Sequence, residues 1–536
     1  MKTFFSLFIM SLYFSTFLYA DANTIIPQPY LYEARQGNFT LTPKSRYLST
    51  TPLSDNAIEY LQEHLSTPLK QSREKQTTSI LFLYNQTRSS ESYTLLITDK
   101  KITIEASDSS GFFYAVISLM QLMDAQIWSA NNQEVQTWSI PAVYIKDHPQ
   151  FAWRGMMLDV ARTFYSVDYV KKFIDRMAQL KLNRFHWHLS DDEGWRIEIK
   201  HYPLLTQVGG SRGPGTLLPF STFPTMKGSK TTVQKGYYSQ KEIKEVVAYA
   251  AKRSIQILPE IDVPAHSKAA VTSYPLLLQD ANDTSHYTSV QKVSNNTIDA
   301  GLESSYTFLE HVVGELATLF PFEYIHLGGD EIPKGAWKAS PSVQKLMKEK
   351  GLKSTKAVQG YFFTRADSIL KKHHKKLVAW QEILGYGATL RDETIVMSWR
   401  DNGAEKRALN AGKKVVASSA KFLYFDQQYR KAKNELGHTW AGPTDTKEMY
   451  NYKIPLKKAA SKQNFLGIHG CLWSERAPNE NIADYLTWPR LFGLSEVAWS
   501  HPTKRTWTHF KQRVIQKGFK RLDAQNINYR IPDVTF

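Results

Sequence analysis

Apolar positions along the chain change rhythm near residue 148. Before that point, Ser79-Ile80-Leu81-Phe82-Leu83-Tyr84, Tyr93 to Thr98 and Ile102 to Glu105 read as short strands, and Gly111 to Asp124 reads as a helix. This mixture predicts a small α+β domain over residues 21–147. After the Asp147-His148-Pro149 turn, apolar strands alternate with amphipathic helices. The first strand, Met156-Met157-Leu158-Asp159-Val160, is followed by a helix from about Val167 to Leu180. Its Val170, Phe173, Ile174 and Met177 share one face at helical spacing. Ser239 and Glu242 form a capping-box signature for a helix through Ala251, and the strand Ile255 to Glu260 follows at once.

Similar units place strands near residues 156, 183, 255, 323, 377, 394, 414 and 465. About eight strands with intervening helices predict an α/β chain closed as a (β/α)8 TIM barrel over 148–505, with a C-terminal helix and tail, 506–536, packed on the barrel. An open doubly wound sheet is disfavoured, because no Gly-rich nucleotide turn follows an early strand. Thr206 to Gly236, rich in Gly, Pro, Ser and Thr, breaks the rhythm after the second strand and is expected to be a loop over the active face.

Composition narrows the class. A chain of 536 residues, 42% hydrophobic, is too apolar for disorder and long enough for more than one packed unit. The net charge of +17 is scattered, with only short runs such as Lys371 to Lys376, so a solvated basic surface is preferred to a nucleic-acid partner. Met1-Lys2, the apolar run Phe4 to Leu18 and the small residues Ala20 and Ala22 read as a signal peptide over 1–20. Export to a periplasm or secretion follows, or delivery to a lysosome in a eukaryote. The rest of the chain has no stretch suited to a bilayer span, so no stable membrane insertion is expected after cleavage. Cys471 is the only cysteine; it excludes an intrachain disulfide and reads as a small buried hydrophobe.

In a barrel of this kind catalytic groups collect at the C-terminal ends of the strands. Polar residues cluster there: Asp159 and Arg162; His186, His188, Asp191 and Asp192; Glu260, Asp262 and His266; His326, Asp330 and Glu331. Later strand ends carry Trp380 and Glu382, Trp399 and Arg400, Tyr424 and Asp426, Trp473 and Glu475. Carboxylates and a guanidinium suit sugar hydroxyls, and indole faces suit the apolar faces of pyranose rings, so the chemistry indicated is that of a carbohydrate site.

Four segments carry a specific resemblance: Gly155 to Arg162, His186-Trp187-His188-Leu189-Ser190-Asp191-Asp192, Pro259-Glu260-Ile261-Asp262-Val263-Pro264-Ala265-His266, and His326-Leu327-Gly328-Gly329-Asp330-Glu331. With Leu472-Trp473-Ser474-Glu475 they resemble glycoside hydrolase family 20, the β-N-acetylhexosaminidases, across the whole barrel; Ala265 stands where many relatives have glycine. The resemblance implies an exo-acting, retaining enzyme in which the substrate's own 2-acetamido group is the nucleophile. It implies Glu331 as general acid and base, and Asp330 as the group orienting the acetamido N–H. Tyr424 would donate to the acetamido carbonyl, with Trp380, Trp399 and Trp473 walling the pocket. Arg162, Asp426 and Glu475 would bind ring hydroxyls, and Asp191 and His266 would complete the binding set. Asp262 and His326 would support these groups from behind.

The partner implied is an amino-sugar oligosaccharide or glycoconjugate. No cofactor and no metal are expected: His186, His188, His266 and His326 raise the rival of a cation-dependent barrel, but that reading leaves the acids and tryptophans unused. A sugar-binding protein without catalysis would have no need of both Asp330 and Glu331. Which of Asp191 and Asp192 faces the site, the choice between gluco and galacto sugars, the natural glycan and the oligomeric state stay open at this level.

Overall fold

The computed structural model describes residues 23–130, 134–218, 233–454 and 462–531. The segment read as a signal peptide, 1–20, and the middle of the expected 206–236 loop lie outside these residues. The strands Trp153–Asp159, Arg184–His188, Gln256–Glu260, Tyr324–His326, Lys376–Trp380, Ile395–Ser398, Lys414–Ala417 and Phe465–Leu472 are parallel and close into a barrel. Closure runs from Gly467 opposite Trp153 to Leu472 opposite Leu158. The fold expected from the hydrophobic rhythm is therefore the fold observed.

Local chemistry explains the coverings. Ser166 caps the helix Val167–Ala178 by accepting from the Tyr169 amide, and the helix buries Val170, Phe173, Ile174 and Met177. Ser239 and Glu242 form a reciprocal capping box on the helix Gln240–Ala251, which turns directly into the third barrel strand. Cys471 is fully buried in the last strand, its Sγ 3.2 Å from the Ser418 hydroxyl.

The N-terminal unit is a seven-stranded mixed sheet ordered 31–41, 138–147, 93–97, 102–106, 80–84, 46–49, 70–71. The long pair Leu31–Leu41 and Trp138–Asp147 has no clean alternation and escapes a reading by periodicity. The helix Ser109–Leu122 is buried almost all round, as its uniformly apolar sequence requires. It packs against this sheet and reaches the barrel, with Tyr114 edge-on to Trp499 and Gln121 donating to the Gln179 carbonyl.

Ion pairs cross between the units, among them Arg154 to Glu91 at 2.7 Å, Lys181 to Asp147 at 2.8 Å, Lys252 to Glu59 at 2.6 Å and Arg253 to Glu63 at 3.1 Å. Asp147 also accepts from the Tyr93 hydroxyl and the Trp499 indole. Asp147→Ala is expected to lower stability by about 3–5 kcal/mol, because it strands a buried ammonium; a urea melt of the variant measures this. The C-terminal helical segments Trp507–Arg513 and Val514–Gly518 touch both units: Phe510 stacks on Tyr450, and Lys517 donates to the Met123 carbonyl.

Candidate active site

The turn after the fourth strand sets the geometry. Gly328 (φ +61°), Gly329 (φ +99°) and Glu331 (φ +49°) all lie in the left-handed region. A Cβ on Gly328 would sit 1.7 Å from Asp262 Oδ1, so only glycine lets this turn pass the third strand. The result is that Asp330 and Glu331, consecutive in sequence, both face one cavity of about 360 Å³ at the C-terminal mouth of the barrel.

Arg162, Asp191, His266, Asp330, Glu331, Trp399, Tyr424, Asp426, Trp473 and Glu475 line this cavity, together with Val290, Gln291, His438 and Trp440. The aromatic members form a box. Trp399 is roughly parallel to Tyr424 at 6.5 Å, and Trp473 and Trp440 meet Tyr424 edge-on at 6.0 and 6.1 Å. Trp380 is 1% exposed and sits behind the box, 6.1 Å from Trp473, with its indole N–H donated to Glu260. Asp262 and His326 are also set back: Asp262 Oδ1 accepts from the Gly329 amide, and His326 Nδ1 lies 2.7 Å from Glu260.

Arg162 is the cationic anchor at one end. Its guanidinium lies 2.6 Å from Asp191, 3.1 Å from Glu193 and 3.5 Å from Asp159, and it passes over the Trp473 ring. Asp191 therefore belongs to the cavity. Burial pushes its carboxyl up, but Arg162 and His266 overcome this and hold it well below the usual range. Asp192 points the other way, accepting from Asn296 at 2.9 Å and from the Lys268 amide at 3.0 Å. That answers the choice the sequence left open.

Glu331 accepts from the Gln291 amide at 3.2 Å and lies 3.7 Å from both Arg400 and His266 Nε2. Burial, reinforced by Glu331, raises the Asp330 carboxyl against the opposing pull of His266. Asp330 Oδ1, Asp426 Oδ1 and Glu475 Oε2 are buried and make no hydrogen bond among the described residues. Three acceptors from three strand ends thus face one enclosed, aromatic-walled space. Burial raises the Tyr424 phenol well above its usual value, so it keeps its proton and remains a donor.

Two groups, His186–Glu260–His326 and Asp191–Asp262–His266, bring ligand-type atoms within 4.8 Å of one another. In the first, both Glu260 oxygens face ring nitrogens at hydrogen-bonding range; in the second, Asp191 and His266 are paired at 3.1 Å.

The family pattern "Glycosyl hydrolase family 20, catalytic domain" matches residues 151–502, and "Glycosyl hydrolase family 20, domain 2" matches residues 22–148. The chain belongs to glycosyl hydrolase family 20. It is 37% identical over 483 residues to a beta-hexosaminidase of Vibrio furnissii, covering 89% of this chain and 76% of that protein. A Porphyromonas gingivalis beta-hexosaminidase is 36% identical over 444 residues, covering 82% of this chain and 55% of that longer protein. Among solved structures, the Vibrio harveyi GH20 exo beta-N-acetylglucosaminidase in complex with N-acetylglucosamine superposes with a TM-score of 0.88 at 36% identity, covering 95% of this chain and 79% of that one.

As a family-20 glycoside hydrolase the chain acts on amino-sugar glycans. Sequence reading missed Val290, Gln291, His438 and Trp440, which lie on loops without periodicity, and Glu193, which follows two acids already named. Trp440 is 56% exposed despite its size, a signal that only structure gives.

The acids of this family-20 site also shape stability. Burial raises Asp192 and Glu382 to about 7, so between the ordinary carboxylate range and that value the native state binds more protons than the unfolded chain. Stability from this source falls as pH rises from the ordinary carboxylate range to about 7 and changes no further above it. The buried histidines His186, His438 and His469, lowered chiefly by desolvation, act in the opposite sense at more acid pH. Between about pH 5 and about pH 7, where these acids' contribution falls, Glu382→Gln is expected to remove part of that loss, so that its thermal midpoint changes less unfavourably with rising pH than that of the unsubstituted protein; calorimetry at a series of pH values measures this.

Proposed function

We propose that this pocket receives a terminal, β-linked N-acetyl-D-hexosamine at the non-reducing end of a glycan, N-acetylglucosamine foremost, and removes it with retention of configuration. The observation that supports this most directly is the unpartnered, buried Asp330 Oδ1 beside Glu331, inside the Trp399–Tyr424–Trp473 box. Asp330 would accept the acetamido N–H, Tyr424 would donate to the acetamido carbonyl, and the box would hold the methyl group. The carbonyl oxygen is then aimed at the anomeric carbon, and its attack forms a cyclic oxazolinium intermediate as the glycosidic bond breaks. Glu331 donates its proton to the leaving oxygen, then takes one from the water that opens the ring. Arg162, Asp426 and Glu475 close the far end on the sugar's hydroxyls, which makes the action exo.

Tyr424→Phe is expected to lower kcat/KM by about a hundredfold, as the loss of one positioned donor to a developing charge does, with the aromatic box retained. Proton NMR of hydrolysis in progress tests the reading as a whole. The first-formed free sugar is expected to be the β-anomer, released one unit at a time from the non-reducing end; an α-anomer or internal cleavage would contradict it.

Export belongs to the same proposal. The apolar run Phe4 to Leu18 followed by Ala20 and Ala22 supports a cleaved leader. Among the described residues no helix is long and apolar enough to cross a membrane. Amino-terminal sequencing of the protein recovered from the expressing cell is expected to begin just after this segment; an intact Met1 would contradict cleavage.

A further inference from the structure

Below the pocket, groups that do not reach the sugar form a continuous line to those that do. Glu260, fully buried at the end of the third strand, has its Oε2 on His188 Nδ1 and 2.9 Å from His186 Nε2. Its Oε1 accepts from the Trp380 indole at 3.1 Å and lies 2.7 Å from His326 Nδ1. The other nitrogen of His188, Nε2, lies 3.1 Å from Asp191 Oδ2. Asp191 Oδ1 lies 3.1 Å from His266 Nδ1, and His266 Nε2 lies 3.7 Å from Glu331 and 3.8 Å from Asp330. Carboxylate and imidazole alternate from Glu260 to the two catalytic acids.

The His188 ring is the informative link. An ionised carboxylate only accepts hydrogen bonds, so a ring whose two nitrogens each face one must carry two protons. We propose that Glu260 and His188 are positioning residues for catalysis: Glu260 fixes His188 as an imidazolium, His188 anchors Asp191, and Asp191 keeps the Nε2–H of His266 aimed at Glu331 and Asp330. His188 also meets Trp473 edge-on at 5.0 Å, and Trp380, held by Glu260, backs the same wall. One buried carboxylate therefore orients both the proton-handling side and the aromatic side of the pocket.

The charged groups facing His188 are Glu260 from the third strand, Asp191 from its own loop and Asp159 from the first strand, with Arg162 beyond Asp191 and His186 beside it. Burial lowers the ring's affinity for its second proton, and the three acids more than reverse this, holding it well above an ordinary histidine. The functional consequence rests on the proposed mechanism. When Glu331 gives up its proton, the carboxylate formed needs a donor already in place, and a His266 released by a wandering Asp191 would not supply it.

Ring-15N-labelled histidine in the full chain, without substrate, tests the first link. The His188 signals, assigned by their loss in His188→Gln, are expected to show both ring nitrogens protonated from about pH 6 to about pH 8, above the ordinary histidine value. A ring with one bare nitrogen in that range would overturn the proposal, whatever the enzyme's substrate proves to be. Kinetics test the second link. Both Glu260→Gln and His188→Gln are expected to lower kcat about tenfold or more on a poorly leaving aglycone, less on an activated one, with KM within about twofold because neither side chain reaches the sugar. An equal loss on both aglycones in folded variants would reduce the pair to a structural role and defeat the proposal.

Discussion

Glu331→Gln is expected to lower kcat by about 10²–10⁴-fold on substrates with poor leaving groups, the range that a positioned general acid supplies. The loss should shrink on an activated aryl glycoside during bond cleavage, since such a leaving group departs without a proton. Glutamine keeps the size of the side chain and its contact with Gln291, but it has no proton to give and no basic oxygen to take one back from water. Addition of a small anionic nucleophile such as azide is expected to restore turnover of the activated substrate by replacing the water that Glu331 no longer activates. Steady-state kinetics on a pair of aglycones of different acidity checks both parts, and unchanged kinetics on both would remove Glu331 from the mechanism.

Asp330→Asn has a different expected signature. Its loss, about 10²–10³-fold in kcat as for removal of one preorganised charge-stabilising group, should be similar for good and poor leaving groups. The group acts on the attacking acetamido rather than on the departing oxygen. An asparagine amide fills the same space beside His266, but whichever atom faces the acetamido N–H, the negative charge that offsets the developing oxazolinium is gone. Burial and the neighbouring Glu331 already raise the Asp330 carboxyl in the free site, so the positive charge that grows on the substrate is what favours its ionised form. A variant that slows only poor leaving groups would show Asp330 to be part of the proton-transfer machinery instead.

The barrel was legible because its signal is repeated: each strand is a short apolar run and each covering helix has one apolar face, so eight weak indications reinforce one another. The site was legible for the same reason, since polar residues at the ends of buried strands have no bland explanation in such number. The N-terminal sheet was only half legible. Leu31–Leu41 pairs with Trp138–Asp147 across a register shift between Ala34 and Asn38, and no local pattern announces a partner about a hundred residues away. Asp191 and Asp192 could not be told apart by alternation, because both are buried and the difference lies in which loop each meets: His266 for one, Asn296 for the other. Trp440 and Gln291 enter the cavity from loops whose course is set by tertiary packing. The line from Glu260 to His266 was invisible for a further reason: hydrogen-bond direction through a histidine depends on both of its neighbours, and sequence supplies the residues without the distances.

The most direct test of the account compares two chromogenic β-glycosides that differ only at carbon 2, one bearing an acetamido group and the other a hydroxyl, with and without a chelator. The mechanism built on Asp330, Tyr424 and the tryptophan box predicts turnover of the acetamido sugar alone, unaffected by chelation. Comparable turnover of the 2-hydroxyl sugar would contradict it, because the enzyme would then have to supply a nucleophile of its own.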